Sequence, residues 1–143
     1  SYGRARFTDG ARSESFWADF DQRHAFNAYA LARLSPETSL SGKVRFGTNF
    51  PIAGYFAHAG STLMLGRERN TERLPAYARV DLRLNHAFTY TRRRLTLFAE
   101  VVNVLGHTNY GPTDGTVRSN GQLSSFTEKL FPFLPSLGFT FDF

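Results

Sequence analysis

Hydrophobic and polar residues alternate with a period of two along most of this chain. Between positions 38 and 50 the even positions are mostly apolar, as at Leu40 and Phe46, whereas the odd positions include Lys43 and Arg45. Side chains point alternately to the two faces of a strand, but they return to the same face of a helix only after about 3.6 residues. The pattern therefore predicts a strand with one apolar and one polar face.

The same alternation returns in four more segments, and the start of the chain shows a less regular version of it. The predicted strands cover residues 1–8, 24–34, 38–50, 78–90, 95–105 and a last segment that ends at Phe143. In the last segment Leu137 and Phe139 alternate with small or polar residues, and Gly138 leaves room for a neighbouring backbone to approach closely. We therefore expect an all-β fold of about six antiparallel strands.

The connections between these strands alternate in length. Residues 35–37 and 91–92 form short connections, whereas 9–23, 51–75 and 106–133 are long and rich in Gly, Pro, Asn and Ser. Loops that long are unusual in a compact soluble domain, but long external loops and short periplasmic turns are typical of outer-membrane barrels. Strands of roughly 9–11 tilted residues also suffice to cross the hydrocarbon layer. The pattern predicts a segment of an up-and-down transmembrane β-barrel.

The two faces of the strands admit a second interpretation. In a soluble β-sandwich the apolar face is the core, whereas in a membrane barrel it contacts lipid and the polar face lines the lumen. Lipid is favoured because the apolar faces are long, because the opposite face is heavily charged, and because aromatic residues such as Tyr77 and Phe88 gather near strand ends. A soluble β-sandwich or lipid-binding β protein is the alternative.

Charged side chains lie at alternate positions on the predicted lumen face. They are Lys43, Arg45, Arg79, Asp81, Arg83 and Glu100. A turn centred on Thr91 and Arg92 would place Arg83 directly opposite Glu100, where opposite charges on paired strands stabilise the sheet. The sequence thus predicts both a register and a cross-strand ion pair.

Five motifs, in order along nearly the whole chain, resemble the end of a known membrane barrel. They are Phe20-Asp21-Gln22-Arg23-His24, Arg45-Phe46-Gly47-Thr48-Asn49-Phe50, Arg73-Leu74-Pro75-Ala76-Tyr77-Ala78-Arg79-Val80-Asp81-Leu82-Arg83, Leu97-Phe98-Ala99-Glu100-Val101-Val102-Asn103-Val104-Leu105 with Asn109-Tyr110, and Leu134-Pro135-Ser136-Leu137-Gly138-Phe139. On these residues the chain resembles the C-terminal part of the β-barrel of TonB-dependent outer-membrane receptors. Ser136, Gly138, Phe141 and Phe143 also resemble the terminal signal that the barrel-assembly machinery recognises.

This resemblance implies that residues 1–143 are the C-terminal section of a barrel of about 22 strands, whose plug and earlier strands belong to the same polypeptide or to other chains. It implies a receptor in the bacterial outer membrane that imports a scarce nutrient of the siderophore, cobalamin, glycan or peptide class. The implied partners are membrane lipid and lipopolysaccharide, the remaining strands and plug, the TonB complex and the barrel-assembly machinery. A passive porin-like or oligomeric barrel is the alternative within a membrane.

Five side chains in the predicted external loops are candidates for contact with a ligand. They are Trp17, His58, Arg67, Arg69 and His107. An aromatic ring can stack on a ligand, and guanidinium groups attract anionic groups, including those of lipopolysaccharide. The plainer interpretation of each is a solvated loop residue or, for the aromatic ring, an interfacial anchor.

The composition argues against several other classes of protein. The 143 residues include no Cys, which excludes disulfides, thiolate metal sites and a Cys nucleophile. The four His residues lack metal-ligand spacing and no catalytic constellation is recognisable, so we expect no enzyme activity, metal or cofactor. The net charge is +5, but basic residues alternate with carboxylates instead of forming one stripe, so we expect no nucleic-acid partner.

Overall fold

The structure is a computed structural model that describes residues 1–11, 13–60, 62–112, 115–120, 122–124 and 127–143. Its strands are β1 (Arg6–Asp9), β2 (Glu14–Trp17), β3 (Ala25–Arg33), β4 (Thr38–Gly47), β5 (Tyr55–Ala59), β6 (Thr62–Arg69), β7 (Tyr77–Tyr90), β8 (Arg93–Val102), β9 (Tyr110–Pro112), β10 (Thr116–Val117), β11 (Leu123–Ser124), β12 (Thr127–Lys129) and β13 (Leu134–Asp142). The all-β class is therefore confirmed. Over the described residues, no helix has the length and apolar character that crossing a bilayer requires.

Five strands form one sheet in the order β13-β8-β7-β4-β3. These strands are the segments in which the alternation of the sequence is clearest, and their bounds lie close to the predicted ones. The pairs β7–β8 and β8–β13 are antiparallel. Each strand lies beside the next long strand of the chain, so the sheet is an up-and-down meander with β13 and β3 at its edges over the described residues.

The register of the sheet matches the predicted one. Tyr90 pairs with Arg93 around the short turn, and Arg83 pairs with Glu100. Glu100 pairs in turn with Ser136 of β13. Because directly paired residues lie on the same face, Arg83 and Glu100 share one face of the sheet, and Leu82, Leu84 and Phe88 share the other with Val101, Ala99 and Leu95.

The long connections contain short hairpins that the alternation did not predict. β1 pairs with β2, β5 with β6, β9 with β12, and β10 with β11, all antiparallel. A long segment must satisfy its own backbone N–H and C=O groups, and pairing the two arms of a loop achieves this. Turn signals typical of hairpins stand in the sequence at three of these connections, at Asp9-Gly10, Gly60-Ser61 and Asn120-Gly121.

The predicted strand over residues 1–8 is wrong in its extent. Only the start of the chain pairs beside β3, through a bridge from Tyr2 to His24. The N–H of Ala5 then donates to the carboxylate of Asp21 at 2.8 Å, and β1 pairs with β2 instead. The carboxylate of Asp21 thus accepts the backbone N–H of Ala5, which in a continuous strand would donate to the backbone of a neighbouring strand.

The chain divides into two compact units. Unit 1 comprises Ser1–Ala25, Gly47–Tyr77 and Asn109–Leu130, and unit 2 comprises Phe26–Phe46, Ala78–Thr108 and Phe131–Phe143. Among the described residues, the buried apolar side chains are Ala18, Phe56 and Leu74 in unit 1 and Ala87 in unit 2. The buried polar ones are Asp21, Asn49, Asn70 and Asn109 in unit 1 and Asn103 in unit 2. Neither unit is built around the large hydrophobic core of a soluble domain.

Candidate functional site

Alternate positions of β7 and β8 bring charged groups together on the polar face of the sheet. The Nε of Arg79 donates to Oδ1 of Asp81 at 2.6 Å. The Nη1 of Arg83 donates to Oε2 of Glu100 at 3.4 Å, across the pair that the sequence predicts. All four side chains are partly exposed, so this face carries hydrated ion pairs.

The remaining predicted lumen charges lie on β4, and both are exposed. Lys43 joins the four charged residues of β7 and β8 around a shallow polar groove of about 360 Å³. Arg45 lies two positions farther along β4 and does not line this groove. The groove presents ammonium and guanidinium donors beside carboxylate acceptors, so it can hydrogen-bond water or a polar solute.

Phe98 is an aromatic residue within this polar face. The guanidinium carbon of Arg83 lies 3.9 Å from the centre of its ring. Phe98 pairs directly with Gly138, where an added Cβ would lie only 2.8 Å from Cε1 of Phe98. Because Gly138 has no side chain, the Phe98 ring has room to pack over it. The sequence suggested instead that this glycine makes room for a neighbouring backbone.

Asn103 anchors the end of β8. It is fully buried and has a left-handed φ of 55°, which Asn tolerates better than most residues. Its N–H donates to Oδ1 of Asp81 at 2.9 Å, and its Nδ2 donates to the carbonyl oxygens of His107 and Phe131 at 2.9 and 3.3 Å. Asn103 thereby joins β8 to β7 and to the segment before β13.

The opposite face of the sheet is apolar and exposed. Leu137 and Phe139 of β13 are 85% and 71% exposed, and Phe88 of β7 is 51% exposed. His86 is a polar residue on this face, and its Nδ1 lies 2.8 Å from Oγ1 of Thr38, so its ring is hydrogen-bonded. Ala87, the buried apolar residue of unit 2, lies on the polar face, so the apolar face has no buried side chain among the described residues.

The predicted assembly-signal residues lie on β13 and directly after it. Ser136 and Gly138 occupy positions on the polar face. Phe141 and Phe143 are exposed, and their ring centres lie 6.3 Å apart. Their recognition by the barrel-assembly machinery stays a prediction.

In unit 1, arginine side chains surround Trp17 at the end of β2. The guanidinium carbons of Arg6, Arg23 and Arg73 lie 5.1, 4.9 and 6.0 Å from the centre of its ring. These distances are within the range of cation–π attraction. The half-buried ring therefore stabilises several like charges in a small volume.

The buried carboxylate of Asp21 balances part of this charge. Arg73 forms an ion pair with Oδ2 of Asp21, and its Nη1 donates to the Asp21 carbonyl at 2.7 Å. Burial raises the pKa of Asp21, but hydrogen bonds from Ala5 and Arg73 and the charges of Arg73 and Arg23 outweigh burial and hold the pKa below its ordinary value of 3.8. Asp21 is therefore ionised at neutral pH.

A second cluster joins the end of β6 to the residues after β2. Asn70 is fully buried, and its Nδ2 donates to the Trp17 carbonyl at 2.6 Å and to Oδ1 of Asp19 at 2.5 Å. Arg69 lies 3.5 Å from the same carboxylate oxygen and 4.6 Å from the centre of the Phe16 ring. An ion pair and an aromatic ring therefore lie next to each other at this end of the hairpin.

Beside this cluster is an aromatic recess of about 330 Å³. It is lined by Phe7, Phe16, Asp19, Phe20 and Arg69. Phe7 and Phe20 are 51% and 63% exposed. Sequence reasoning did not assign Phe7, Asp19 or Phe20 to a ligand site, although Phe20 begins one of the quoted motifs and aromatic residues are concentrated in the connection 9–23. The recess could hold an apolar or aromatic group beside a charged one.

The structure brings together two of the five predicted loop contacts. The Trp17 carbonyl accepts from Asn70, and Arg69 pairs with the carboxylate that Asn70 also contacts. Arg67 is exposed on β6, and His107 is exposed in unit 2. The side chain of His58 lies outside the described part of the structure.

The part of the chain that the structure describes contains no group of three His, Asp or Glu side chains close enough to hold a metal ion. No family model, no curated protein and no solved structure matches this sequence.

Proposed function

We propose that this chain is a wall section of an outer-membrane β-barrel, in a TonB-dependent receptor that imports a scarce nutrient. The observation that carries the proposal is the five-stranded sheet, which has an exposed apolar face and an ion-paired polar face. The siderophore, cobalamin, glycan and peptide classes of nutrient come from the family resemblance.

The exposed apolar face supports contact with lipid. Each Å² of apolar surface left in water costs about 25 cal/mol, and a large continuous patch marks a surface that meets lipid or another protein. Here Leu137, Phe139 and Phe88 are all more than half exposed. In a bilayer the same side chains lie in their preferred solvent, and aromatic residues at the strand ends fit the membrane interface.

The polar face supports a water-filled lumen. Its ion pairs, such as Arg83 with Glu100, keep part of their hydration and so avoid the full cost of burying charge. The packing of Phe98 over Gly138 also lies on this face. The face that carries charge is thus also the face on which the protein packs its own side chains, as expected for the inside of a barrel.

The hairpins of unit 1 support a receptor role. They lie within the long connections between strands of the five-stranded sheet, whereas the connections from β3 to β4 and from β7 to β8 are short turns. The aromatic recess with Arg69 and Asp19 is large enough to bind part of a ligand. Dependence on the TonB complex rests on the family resemblance alone.

Alternating cysteine substitutions test the membrane assignment. The chain has no Cys, so single thiols at Leu84, Asn85, Thr96 and Leu97 report on one site each, provided that the rest of the polypeptide is also free of Cys. In the complete polypeptide in vesicles, Leu84→Cys and Leu97→Cys are expected to react with a lipid-soluble maleimide. Their sequence neighbours Asn85→Cys and Thr96→Cys, on the other face, are expected to react with a water-soluble one.

Two outcomes would overturn the membrane assignment. One is equal reaction of neighbouring thiols with the water-soluble reagent. The other is a monodisperse monomer without detergent, which would favour the soluble β-sandwich.

Energised import needs a separate test. The complete receptor is expected to take up its nutrient in cells with the TonB complex and to lose uptake when that complex is deleted. A steady open conductance of the purified protein in planar bilayers would instead favour the passive porin-like alternative.

A further inference from the structure

The short-turn end of the sheet in unit 2 carries a run of three arginines. Arg92 occupies the turn between β7 and β8, and Arg93 and Arg94 begin β8. All three are exposed. This run belongs neither to the polar groove nor to the arginine cluster around Trp17, so it needs its own explanation.

The register assigns neighbouring arginines to opposite faces. Arg93 pairs with Tyr90, which lies on the apolar face. Arg94 pairs with Thr89 and with Asp142, which lie on the polar face. Arg93 is therefore the basic residue that borders the apolar face, whereas Arg94 has a carboxylate opposite it.

Aromatic residues flank Arg93 on the apolar side. Tyr90 is 81% exposed, and Phe143, which directly follows the end of β13 at Asp142, is 98% exposed. The ion pairs of the described residues involve other arginines, so Arg92 and Arg93 have no carboxylate within ion-pair distance there. On the turn between β3 and β4, the carboxylate of Glu37 accepts from the hydroxyl of Ser35 at 3.3 Å.

We propose that Arg93, with Arg92, binds the phosphate of an anionic glycerophospholipid such as phosphatidylglycerol, between the rings of Tyr90 and Phe143. This inference rests on the proposed function, in which the short turns face the periplasm and this end of the apolar face meets the headgroups of the inner leaflet. Guanidinium groups donate paired hydrogen bonds to phosphate oxygens. Tyrosine places its ring in the acyl region and its hydroxyl among the headgroups.

The charge balance selects an anionic lipid over a zwitterionic one. Two guanidinium charges that form no ion pair with a described carboxylate attract a headgroup of net negative charge. The ammonium group of phosphatidylethanolamine would repel the same arginines. Each basic residue near an anionic membrane surface strengthens binding to that surface roughly fivefold.

Site-specific photo-crosslinking tests this proposal. Benzoylphenylalanine in place of Phe88 lies on the same face, two residues before Tyr90, and replaces one aromatic ring with another. The complete polypeptide is placed in vesicles of phosphatidylethanolamine with a minor fraction of phosphatidylglycerol, and the captured lipid is identified by mass spectrometry. Phosphatidylglycerol is expected to be enriched several-fold over its fraction in the vesicle.

Neighbouring arginines provide the matched variants. Arg93→Gln should reduce the enrichment to near the fraction in the vesicle, and Arg93→Lys should retain part of it. Arg94→Gln, which removes an identical charge on the other face, should leave the enrichment unchanged. Because all these positions are exposed, the variants are expected to fold, and resistance to urea confirms this.

Three results would overturn the proposal. One is capture of the two lipids in proportion to their abundance, and another is enrichment that survives Arg93→Gln. In both cases the proposed function stands, because lipid is still captured at position 88. The third is a folded protein that captures no lipid at that position, which would contradict the membrane assignment itself.

Discussion

Unit 1 and unit 2 satisfy their polar groups by opposite means. Unit 1 buries Asp21 and Asn70 and supplies each with several hydrogen-bond partners from distant segments. Unit 2 relies on the backbone ladders of its sheet and leaves side chains as large as Leu137 and Phe139 exposed. The first unit is therefore held together by side-chain hydrogen bonds and ion pairs, and the second by strand register.

This difference predicts where substitutions are costly. In unit 1 the costly positions are buried polar residues, since their loss leaves partners unsatisfied. In unit 2 the apolar face is more tolerant, because its large side chains, such as Leu137 and Phe139, are mostly exposed, whereas the polar face contains the packed ring of Phe98. In a soluble β-sandwich, substitutions on the apolar face of unit 2 would be costly and substitutions on its polar face would be tolerated.

The largest effect is expected for Asp21→Asn. This change leaves the guanidinium groups of Arg73 and Arg23 without their buried counter-ion, and breaking a buried pair costs about 3 kcal/mol. The measurement is urea unfolding, with hydrogen exchange of the Ala5 amide as a local probe, because Asp21 accepts that N–H. Asp19→Asn is the control, since Asp19 is 53% exposed and its pair with Arg69 is worth at most about 1 kcal/mol. Equal losses for the two variants would contradict the contrast between the units.

The same carboxylate gives unit 1 a dependence on acid. Because the folded-state pKa of Asp21 lies below the ordinary value of 3.8, its stabilisation is complete above that value and is lost as the pH falls through the folded-state pKa. The difference in unfolding free energy between the native protein and Asp21→Asn should therefore stay constant near neutral pH and shrink below pH 3.8. A difference that stays constant through strongly acidic pH would show that charge is not the cause.

A smaller effect is expected on the polar face of unit 2, for Gly138→Ala. The new Cβ would lie 2.8 Å from Cε1 of Phe98, whose ring Arg83 also covers, so the ring must move. Overpacking of this kind costs about 2 kcal/mol, measured by thermal or urea unfolding. The double variant with Phe98→Leu should recover part of this loss.

Leu137→Ala, one residue away on the apolar face, is the matched control for Gly138→Ala. Leu137 is 85% exposed, so its truncation should change the stability in detergent by less than about 0.5 kcal/mol. A loss of more than about 2 kcal/mol at Leu137 would mean that a protein surface covers this face, and it would support the sandwich alternative.

The turn of the β7–β8 hairpin allows a stabilising change. Thr91 has a φ of 54°, which is unfavourable for a β-branched residue, so Thr91→Gly should raise the unfolding free energy of unit 2 by about 1 kcal/mol. Arg92 is not among the residues with positive φ, so Arg92→Gly relieves no strain and should lower stability slightly. Equal effects of the two glycines in urea unfolding would contradict this account of the turn.

The two units also differ in how far their sequence predicts them. The sheet of unit 2 follows a local rule, since each strand alternates and the two-residue turn at Thr91 and Arg92 sets the register that pairs Arg83 with Glu100. The cluster in unit 1 depends on contacts between distant positions, because 52 positions separate Asp21 from Arg73. No periodicity indicates such a contact.

Some residues that make contacts which periodicity did not predict lie in the motifs quoted for the family resemblance, although no contact between them was predicted. Asp21 and Arg73 both lie in motifs that carried the resemblance, as do Asp81 and Asn103, and each pair is in contact. The motifs thus mark residues that join distant segments. Of the recess residues, Phe20 begins one of these motifs but Phe7 lies in none, and exposed aromatic residues fit many arrangements, so the recess itself was not predicted.

The smallest effect is expected for the Arg83–Glu100 pair, which tests whether the polar face is hydrated. The two side chains are 40% and 33% exposed, so a double-mutant cycle with Arg83→Gln and Glu100→Gln should give a coupling energy of about 0.5 kcal/mol. Raising the salt concentration should weaken it further, because exposed pairs are screened. A coupling energy above about 2 kcal/mol that resists salt would mean that the pair is desolvated. The polar face of unit 2 would then be a buried interior like that of unit 1, and a water-filled lumen would no longer explain why its charges alternate.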